Sequence, residues 1–173
     1  MLPKVSLVLG GAASGKSAYA ENMILRTGLA PVYIATAQVF DDEMAAKVQR
    51  HKKSRGTGWH TIEAPINVAA AIKAARADQA VLLDCATLWL TNIILGELDL
   101  DQNINDLLEA LRCSKAPIVI VSNEVGQGIV PDNALSRRFR NAQGTLNQQI
   151  AAQADIVVAV MAGLPLVLKG TLP

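Results

Sequence analysis

Eight residues near the beginning of the chain have the types and spacing of a phosphate-binding loop. They satisfy the pattern G-x-x-x-x-G-K-[ST] at every fixed position: Gly10, Gly11, Ala12, Ala13, Ser14, Gly15, Lys16 and Ser17. Glycines let successive N–H groups converge on phosphate oxygens, the lysine brings a cation to the terminal phosphates, and the serine hydroxyl can bind Mg²⁺. A glycine-rich turn that merely fits the pattern is the alternative. The apolar run Val5–Leu9 before this phosphate loop (Gly10–Ser17) favours a nucleoside triphosphate site.

An acidic residue closes a second apolar run. Asp84 follows Val81–Leu83, and proteins with a phosphate loop place there a carboxylate that holds Mg²⁺ directly or through water. An aspartate at a strand end is also a common helix cap. Beside the phosphate loop the metal interpretation is favoured, so Ser17 and Asp84 are the predicted Mg²⁺ ligands.

His51 lies in a cluster of cationic residues, Arg50–Arg55. A neutral imidazole is a competent nucleophile toward phosphorus when neighbouring cations stabilise the developing charge. The alternative is a solvated helix end whose positive charges complement the helix dipole. His60 has no such neighbours and is expected to be structural or exposed.

Another polar segment follows the apolar run Ile118–Ser122. The loop Asn123–Pro131 contains Glu124, Gly126 and Gly128, and two glycines so close predict positive φ or the near approach of a ligand. A structural loop without a ligand is an alternative of equal weight. The next helix begins with basic residues that can reach phosphates, although solvated helix charge is slightly favoured for them: Arg137, Arg138 and Arg140.

These residues stand at the ends of apolar runs that alternate with amphipathic segments. Five runs rich in β-branched residues predict buried parallel strands: Val5–Leu9, Pro31–Ala35, Val81–Asp84, Ile118–Ser122 and Ile156–Val160. Helices are predicted at Ser17–Arg26, Asp42–Ser54, Val68–Arg76, Leu88–Leu95, Ile104–Arg112 and Ala134–Ala154. Two shorter segments can add strands, the second as an antiparallel C-terminal edge: His60–Glu63 and Leu166–Lys169. The alternation predicts a P-loop NTPase-like α/β fold, a doubly wound and mostly parallel sheet flanked by helices. Ligands then sit at the carboxyl ends of the strands.

Length and composition fit this fold. The chain has 173 residues, 51% hydrophobic but only 3% aromatic, which favours a core of aliphatic side chains and one domain over residues 1–173. The net charge of +1 predicts no attraction to nucleic acid, and no apolar run approaches the roughly 20 residues of a membrane span. Two cysteines, and no signal-peptide pattern at Met1–Lys4, predict a soluble protein of the reducing cytoplasm.

Taken together, these motifs resemble the bifunctional cobinamide kinase/cobinamide-phosphate guanylyltransferases of cobalamin biosynthesis, from about Leu7 to Lys169. Besides the phosphate loop, the resemblance rests on four groups of residues: Tyr33–Ala37 with Asp41–Met44; His51 with Arg55, Trp59 and Glu63; Leu83–Cys85 with Trp89, Thr91 and Asn92; and Asn123–Pro131. The histidine cluster and the last loop are the more specific parts, because unrelated enzymes share the phosphate loop.

The resemblance implies two reactions. The family phosphorylates adenosylcobinamide with ATP or GTP, then transfers GMP from GTP to that phosphate through a GMP-histidine intermediate, giving adenosylcobinamide-GDP. The matching histidine is His51, with Lys16 as the other catalytic residue. The implied nucleotide contacts, beyond the phosphate loop, are Thr36, Ala37, Gln38, Lys52, Lys53, Ser54, Arg55, Glu63 and Asp84. The family is also expected to form a homotrimer.

Two positions depart from the family pattern. The family usually has arginine where this chain has Ala13, and proline after the arginine that matches Arg55, where this chain has Gly56. Two other function classes stay open: a kinase or NTPase of another small metabolite, with His51 only a cation at a helix end, and a nucleotide-binding regulator without turnover.

Overall fold

The computed structural model describes residues 2–38 and 56–172. These residues form seven strands: β1 (Val5–Gly10), β2 (Ala30–Ala35), β3 (His60–Glu63), β4 (Gln79–Asp84), β5 (Ile118–Asn123), β6 (Ile156–Met161) and β7 (Leu164–Lys169). They build one sheet in the order β3-β2-β4-β5-β1-β6-β7. All neighbours pair in parallel except β6 and β7, which are antiparallel. The predicted fold class is therefore confirmed, and the two shorter segments form the strands β3 and β7.

Helices connect the parallel strands. They are α1 (Lys16–Leu25), α2 (Val68–Ala74), α3 (Ala86–Leu95), α4 (Leu100–Cys113) and α5 (Ala134–Gln153). Each was predicted within a few residues, and the helix predicted at Asp42–Ser54 lies outside the described residues. The largest difference is α4, which begins at Leu100 rather than Ile104 because Asp99 caps it: the Asp99 Oδ1 accepts a hydrogen bond of 2.9 Å from the N–H of Gln102.

The central strands of the sheet are buried on both faces, as their apolar sequences require. Among the described residues, α1 packs on one face through Ala20 and Ile24, against Val8, Leu82 and other strand residues. The other four helices pack on the opposite face, where the larger core contains Trp89 and many aliphatic side chains. No helix in the described parts of the chain is long and apolar enough to cross a bilayer.

The edge strand β7 differs from the rest of the sheet because all six of its residues are exposed. Its turn from β6 consists of Ala162 and Gly163, whose φ values of 52° and 78° suit a two-residue hairpin. Leu164, Leu166 and Leu168 are 71%, 56% and 56% exposed. The sheet thus ends in an apolar, solvent-facing strand.

Candidate nucleotide-binding site

The phosphate loop connects the end of β1 to the beginning of α1. Gly15 precedes the helix with a φ of 92°, a left-handed conformation that glycine adopts without steric cost. No described side chain caps the first turn of α1, so its N–H groups can bind an anion, aided by the helix dipole. The backbone has the form of an anion-binding loop, and phosphate binding by Gly10–Ser17 stays a prediction.

Lys16 and Ser14 bring polar groups into this loop. Lys16 is only 9% exposed, and its Nζ donates a hydrogen bond of 2.9 Å to the carbonyl oxygen of Gly11, so its side chain spans the loop. The Ser14 hydroxyl is buried and makes no hydrogen bond to the described residues. The loop therefore contains a buried cation beside a hydroxyl that makes no hydrogen bond to the described residues.

The turn between β6 and β7 contacts the phosphate loop and is hydrogen-bonded to it. The N–H of Gly163 donates a hydrogen bond of 2.8 Å to the carbonyl oxygen of Ser14. A Cβ on Gly15 would lie 3.1 Å from the Gly163 Cα, and one on Gly10 would lie 2.7 Å from the Val160 carbonyl oxygen. Glycine is required at both positions because a side chain would displace this hairpin.

Two carboxylates stand at the same edge of the sheet. In the strand register Ala35 pairs with Glu63 on one side and with Asp84 on the other, so the two acidic residues are about 10 Å apart, two strand spacings. Paired residues in neighbouring strands share a face, and the face of Tyr33 and Leu82 is the one that α1 covers. Both predicted nucleotide contacts therefore lie on the same side of the sheet as the phosphate loop.

The charges of Asp84 and Lys16 both influence the pKa of the Cys85 thiol. Burial raises the pKa of Cys85 to about 11; the Asp84 carboxylate adds to this rise and the Lys16 ammonium opposes it. The Cys85 Sγ caps α3 by accepting a hydrogen bond from the N–H of Leu88. Cys85 is thus a buried thiol with a structural role, and the charges of both the predicted metal ligand and the predicted catalytic lysine act on it.

Mg²⁺ would depend on few protein ligands here. Within residues 2–38 and 56–172 no group of three or more His, Cys, Asp and Glu side chains is arranged to hold a metal ion. The Ser17 hydroxyl and the Asp84 carboxylate supply hard oxygen atoms, and Mg²⁺ is commonly bound by one or two such groups together with substrate phosphates and water. The donor set fits the ion.

Thr36 joins the ends of β2 and β4. Its hydroxyl donates to the carbonyl oxygen of Cys85 at 2.8 Å and accepts from the Cys85 N–H at 2.9 Å. The Asn92 side chain on α3 donates to the carbonyl oxygens of Thr36, at 2.8 Å, and Pro65, at 2.9 Å. The Thr36 hydroxyl is therefore occupied within the protein, and the half-buried Ala37 and Gln38 follow it at the site edge. Nucleotide contacts by these three residues stay predictions.

The loop Asn123–Pro131 begins against the phosphate loop. The N–H of Glu124 donates to the Gly10 carbonyl oxygen at 3.1 Å, and the Glu124 Oε1 accepts from the N–H of Gly126 at 2.6 Å. The prediction of positive φ is wrong for Gly126 and Gly128, which are not among the left-handed glycines. The Glu124 side chain forms the turn instead, and it would lie 2.8 Å from a Cβ on Gly126.

The structure also describes His60, Arg137 and Gly56, which the sequence analysis singled out. His60 is exposed at the beginning of β3, as expected. The Arg137 guanidinium donates to the carbonyl oxygens of Pro131 and Asp132, at 2.9 and 2.7 Å, so it closes the loop. Gly56 has a φ of 72°, which the proline usual in the family could not adopt. The cluster around the predicted nucleophile lies outside the described residues: His51, Lys52, Lys53, Ser54 and Arg55.

Comparison with known proteins identifies the family. The model of the family described as cobinamide kinase/cobinamide phosphate guanyltransferase matches residues 6–168. The bifunctional adenosylcobalamin biosynthesis protein CobP of Pseudomonas aeruginosa is 45% identical over 167 residues, 95% of this chain and 96% of that protein. The bifunctional adenosylcobalamin biosynthesis protein CobU of Salmonella typhimurium is 43% identical over 181 residues, 94% of this chain and 98% of that protein.

Among solved structures, the RadB recombinase covers 91% of this chain and 74% of its own at 18% identity, with a TM-score of 0.49. The family model and the two relatives each match nearly the whole chain. The chain therefore belongs to the cobinamide kinase/cobinamide phosphate guanyltransferase family.

Proposed function

We propose that this chain phosphorylates the hydroxyl of adenosylcobinamide with ATP or GTP, and then transfers GMP from GTP to that phosphate. The products are adenosylcobinamide-GDP and pyrophosphate. The observation that carries the proposal is a loop with the backbone form of an anion-binding loop and a buried lysine, in a chain aligned over nearly its whole length with relatives named as bifunctional.

The described residues support specific roles in phosphoryl transfer. Lys16 neutralises charge on the β- and γ-phosphates, and the first-turn N–H groups of α1 bind phosphate oxygens. Ser17 and Asp84 would hold Mg²⁺, which supplies charge neutralisation on the departing phosphates when bound. Glu63, Thr36, Ala37 and Gln38 lie at the same edge and would contact the nucleotide.

His51 is the proposed nucleophile of the second reaction. Its imidazole nitrogen attacks the α-phosphorus of GTP, the bond to the β-phosphate oxygen breaks, and pyrophosphate leaves. An oxygen of adenosylcobinamide phosphate then attacks the same phosphorus and releases the histidine. Lys52, Lys53, Ser54 and Arg55 would stabilise the developing charge. Two in-line displacements at one phosphorus predict retention of its configuration.

Three further properties belong to this proposal. Both reactions take place in one domain over residues 1–173. The protein forms a homotrimer, supported by the exposed apolar side chains of β7, since such an edge strand favours association. It works in the cytoplasm, supported by two cysteines that are both free thiols.

Radiolabelling tests the guanylyl-transfer step. Wild-type protein incubated with Mg²⁺ and GTP labelled at the α-phosphorus should retain label that is stable in alkali and lost in acid, and His51→Ala should retain none. His60→Ala is the matched control, since the chain has two histidines and His60 is exposed. It should be labelled like the wild type.

Product analysis separates the competing functions. Wild-type protein that phosphorylates adenosylcobinamide but takes up no α-label would be a simple kinase, and the guanylyltransferase half would be lost. Protein that binds GTP but converts neither adenosylcobinamide nor the triphosphate would be a regulator, and both halves would be lost.

A further inference from the structure

Asn123 occupies a central position at the predicted site. The sheet order places β5 between β1, which leads into the phosphate loop, and β4, which ends in Asp84. Asn123 is the last residue of β5 and pairs with Gly10, while Val121, two residues earlier, pairs with Val8 on the other strand. Side chains two residues apart in a strand share a face. Asn123 therefore lies on the face of Val8 and Val121, the face that α1 covers.

The peptide groups of Asn123 are held by two helices of the opposite layer. Its N–H donates to the Thr87 Oγ1 on α3 at 2.8 Å, and its carbonyl oxygen accepts from the Asn147 Nδ2 on α5 at 3.1 Å. Both Thr87 and Asn147 are buried, at 6% and 7% exposure. Within residues 2–38 and 56–172, by contrast, the Asn123 carboxamide makes no hydrogen bond.

A buried network fixes the orientation of Asn147. Its Oδ1 accepts from the Ser122 hydroxyl at 2.6 Å and from the Gln143 Nε2 at 3.0 Å. Ser122 and Gln143 are both fully buried. Because the Oδ1 accepts from two donors, the orientation of the Asn147 amide is set, with its Nδ2 toward the carbonyl oxygen of Asn123. The network thus binds the peptide groups at the end of β5 and does not involve the Asn123 side chain.

Neighbouring residues indicate which part of a nucleotide this side chain would meet. Lys16 and the carboxylate at the end of the metal-binding strand are the groups that contact the β- and γ-phosphates and their metal in this type of loop. The Lys16 and Asp84 charges act on one common thiol, and β5 lies between β1 and β4. A carboxamide N–H at this position can donate to the oxygens of the last phosphate.

We propose that the Asn123 carboxamide binds the terminal phosphate of the nucleoside triphosphate, and that Thr87 and Asn147 are its positioning residues. The inference rests on the proposed function insofar as it requires a bound triphosphate. It adds a contact that discriminates a triphosphate from a diphosphate, because only the triphosphate places a phosphate at this strand end.

Calorimetric binding of a non-hydrolysable GTP analogue and of GDP, each with Mg²⁺, tests this contact in the whole chain. Asn123→Ala should weaken analogue binding about tenfold or more, as expected for a lost hydrogen bond to a charged group. Its GDP binding should stay within about twofold of the wild type, the size of a change at a site that makes no contact. Equal weakening for both nucleotides, or for neither, would overturn the proposal.

Variants of Thr87 test the positioning role. Thr87→Val removes the acceptor for the Asn123 N–H and should reduce the preference for the analogue over GDP, whereas Thr87→Ser should restore it. Ser114→Ala is the matched control: its buried hydroxyl donates to the Ala116 carbonyl oxygen at 2.8 Å, before the opposite end of β5. A nucleotide preference lost equally in Ser114→Ala would indicate a general effect of stability and refute the positioning role.

The outcomes also separate this inference from the proposed function. Wild-type protein that binds the analogue more tightly than GDP, with the preference lost in Asn123→Ala, supports the contact even if adenosylcobinamide is not phosphorylated. Wild-type protein that phosphorylates adenosylcobinamide, with the preference intact in Asn123→Ala, keeps the proposed function and refutes the contact. Wild-type protein that binds neither nucleotide refutes both.

Discussion

Replacing Asn92 should cost more stability than its size suggests. The residue is 7% exposed and sits on a helix that is otherwise almost entirely apolar. Its two N–H groups donate to the carbonyl oxygens of Thr36 and Pro65, at 2.8 and 2.9 Å. In Asn92→Ala the buried Thr36 carbonyl and the half-buried Pro65 carbonyl both lose this donor, and a buried carbonyl without a donor costs about 1–3 kcal/mol.

The expected loss for Asn92→Ala is therefore about 3 kcal/mol, at the lower half of the summed range because water can enter the space left by the side chain. A domain of this size loses roughly 2–4 °C of melting temperature per kcal/mol, so Tm should fall by about 6–12 °C. Guanidinium chloride unfolding followed by circular dichroism would give the free energy, and a thermal scan would give Tm.

Asn103→Ala is the control for this experiment. The Asn103 Nδ2 also donates to a backbone carbonyl, that of Asp99 at 2.7 Å, but in an exposed position where water can replace it. Its loss should stay within about 0.5 kcal/mol. If Asn92→Ala unfolds at the same denaturant concentration as Asn103→Ala, the two hydrogen bonds of Asn92 do not contribute the expected free energy of unfolding.

Two further predictions concern the phosphate loop and the cysteines. Gly15→Ala should destabilise the protein by about 1–3 kcal/mol, because alanine is strained at this φ. Gly11→Ala, with open space around its Cβ, should be much less destabilising. Chemical denaturation would measure both variants, and equal losses of stability would contradict backbone strain at Gly15. Iodoacetamide at pH 8 should modify one thiol per chain, the exposed Cys113, and mass spectrometry should find a second only after unfolding in urea, since burial raises the pKa of Cys85 to about 11. The raised pKa also means that the contribution of the Cys85 thiol to stability is present at neutral pH and is lost as the pH rises from about 9 toward 11.

Local signals predicted most of the fold. Runs such as Ile118–Ser122 and Ile156–Val160 are short, β-branched and bounded by polar residues or loops, so the strands could be located from the sequence. The phosphate loop has a fixed spacing and a fixed backbone form, and its position between β1 and α1 followed directly. The predicted start of α4 was less accurate because the helix begins after the Asp99 cap, whereas its first buried residue is Ile104.

Contacts between distant parts of the chain could not be predicted from such local signals. The sequence shows Asn123 after one apolar run and Gly10 after another, but their pairing depends on the order of strands in the sheet. The same holds for Asn92. An amide in an apolar helix indicates a buried hydrogen bond, but its two acceptors, the carbonyl oxygens of Thr36 and Pro65, lie on other segments of the chain. Gly126 and Gly128 lack the predicted positive φ, because the Glu124 carboxylate forms the turn by accepting a hydrogen bond from the N–H of Gly126.

The contact between Gly163 and Ser14 has a consequence for synthesis of the protein. The ribosome makes the phosphate loop early and the turn between β6 and β7 late, yet the late turn donates the hydrogen bond that supports the early loop. A nascent chain that has reached only α5 lacks this support. We therefore expect the chain to acquire nucleotide affinity late, when the hairpin of β6 and β7 leaves the ribosomal tunnel and folds back onto the phosphate loop made before it.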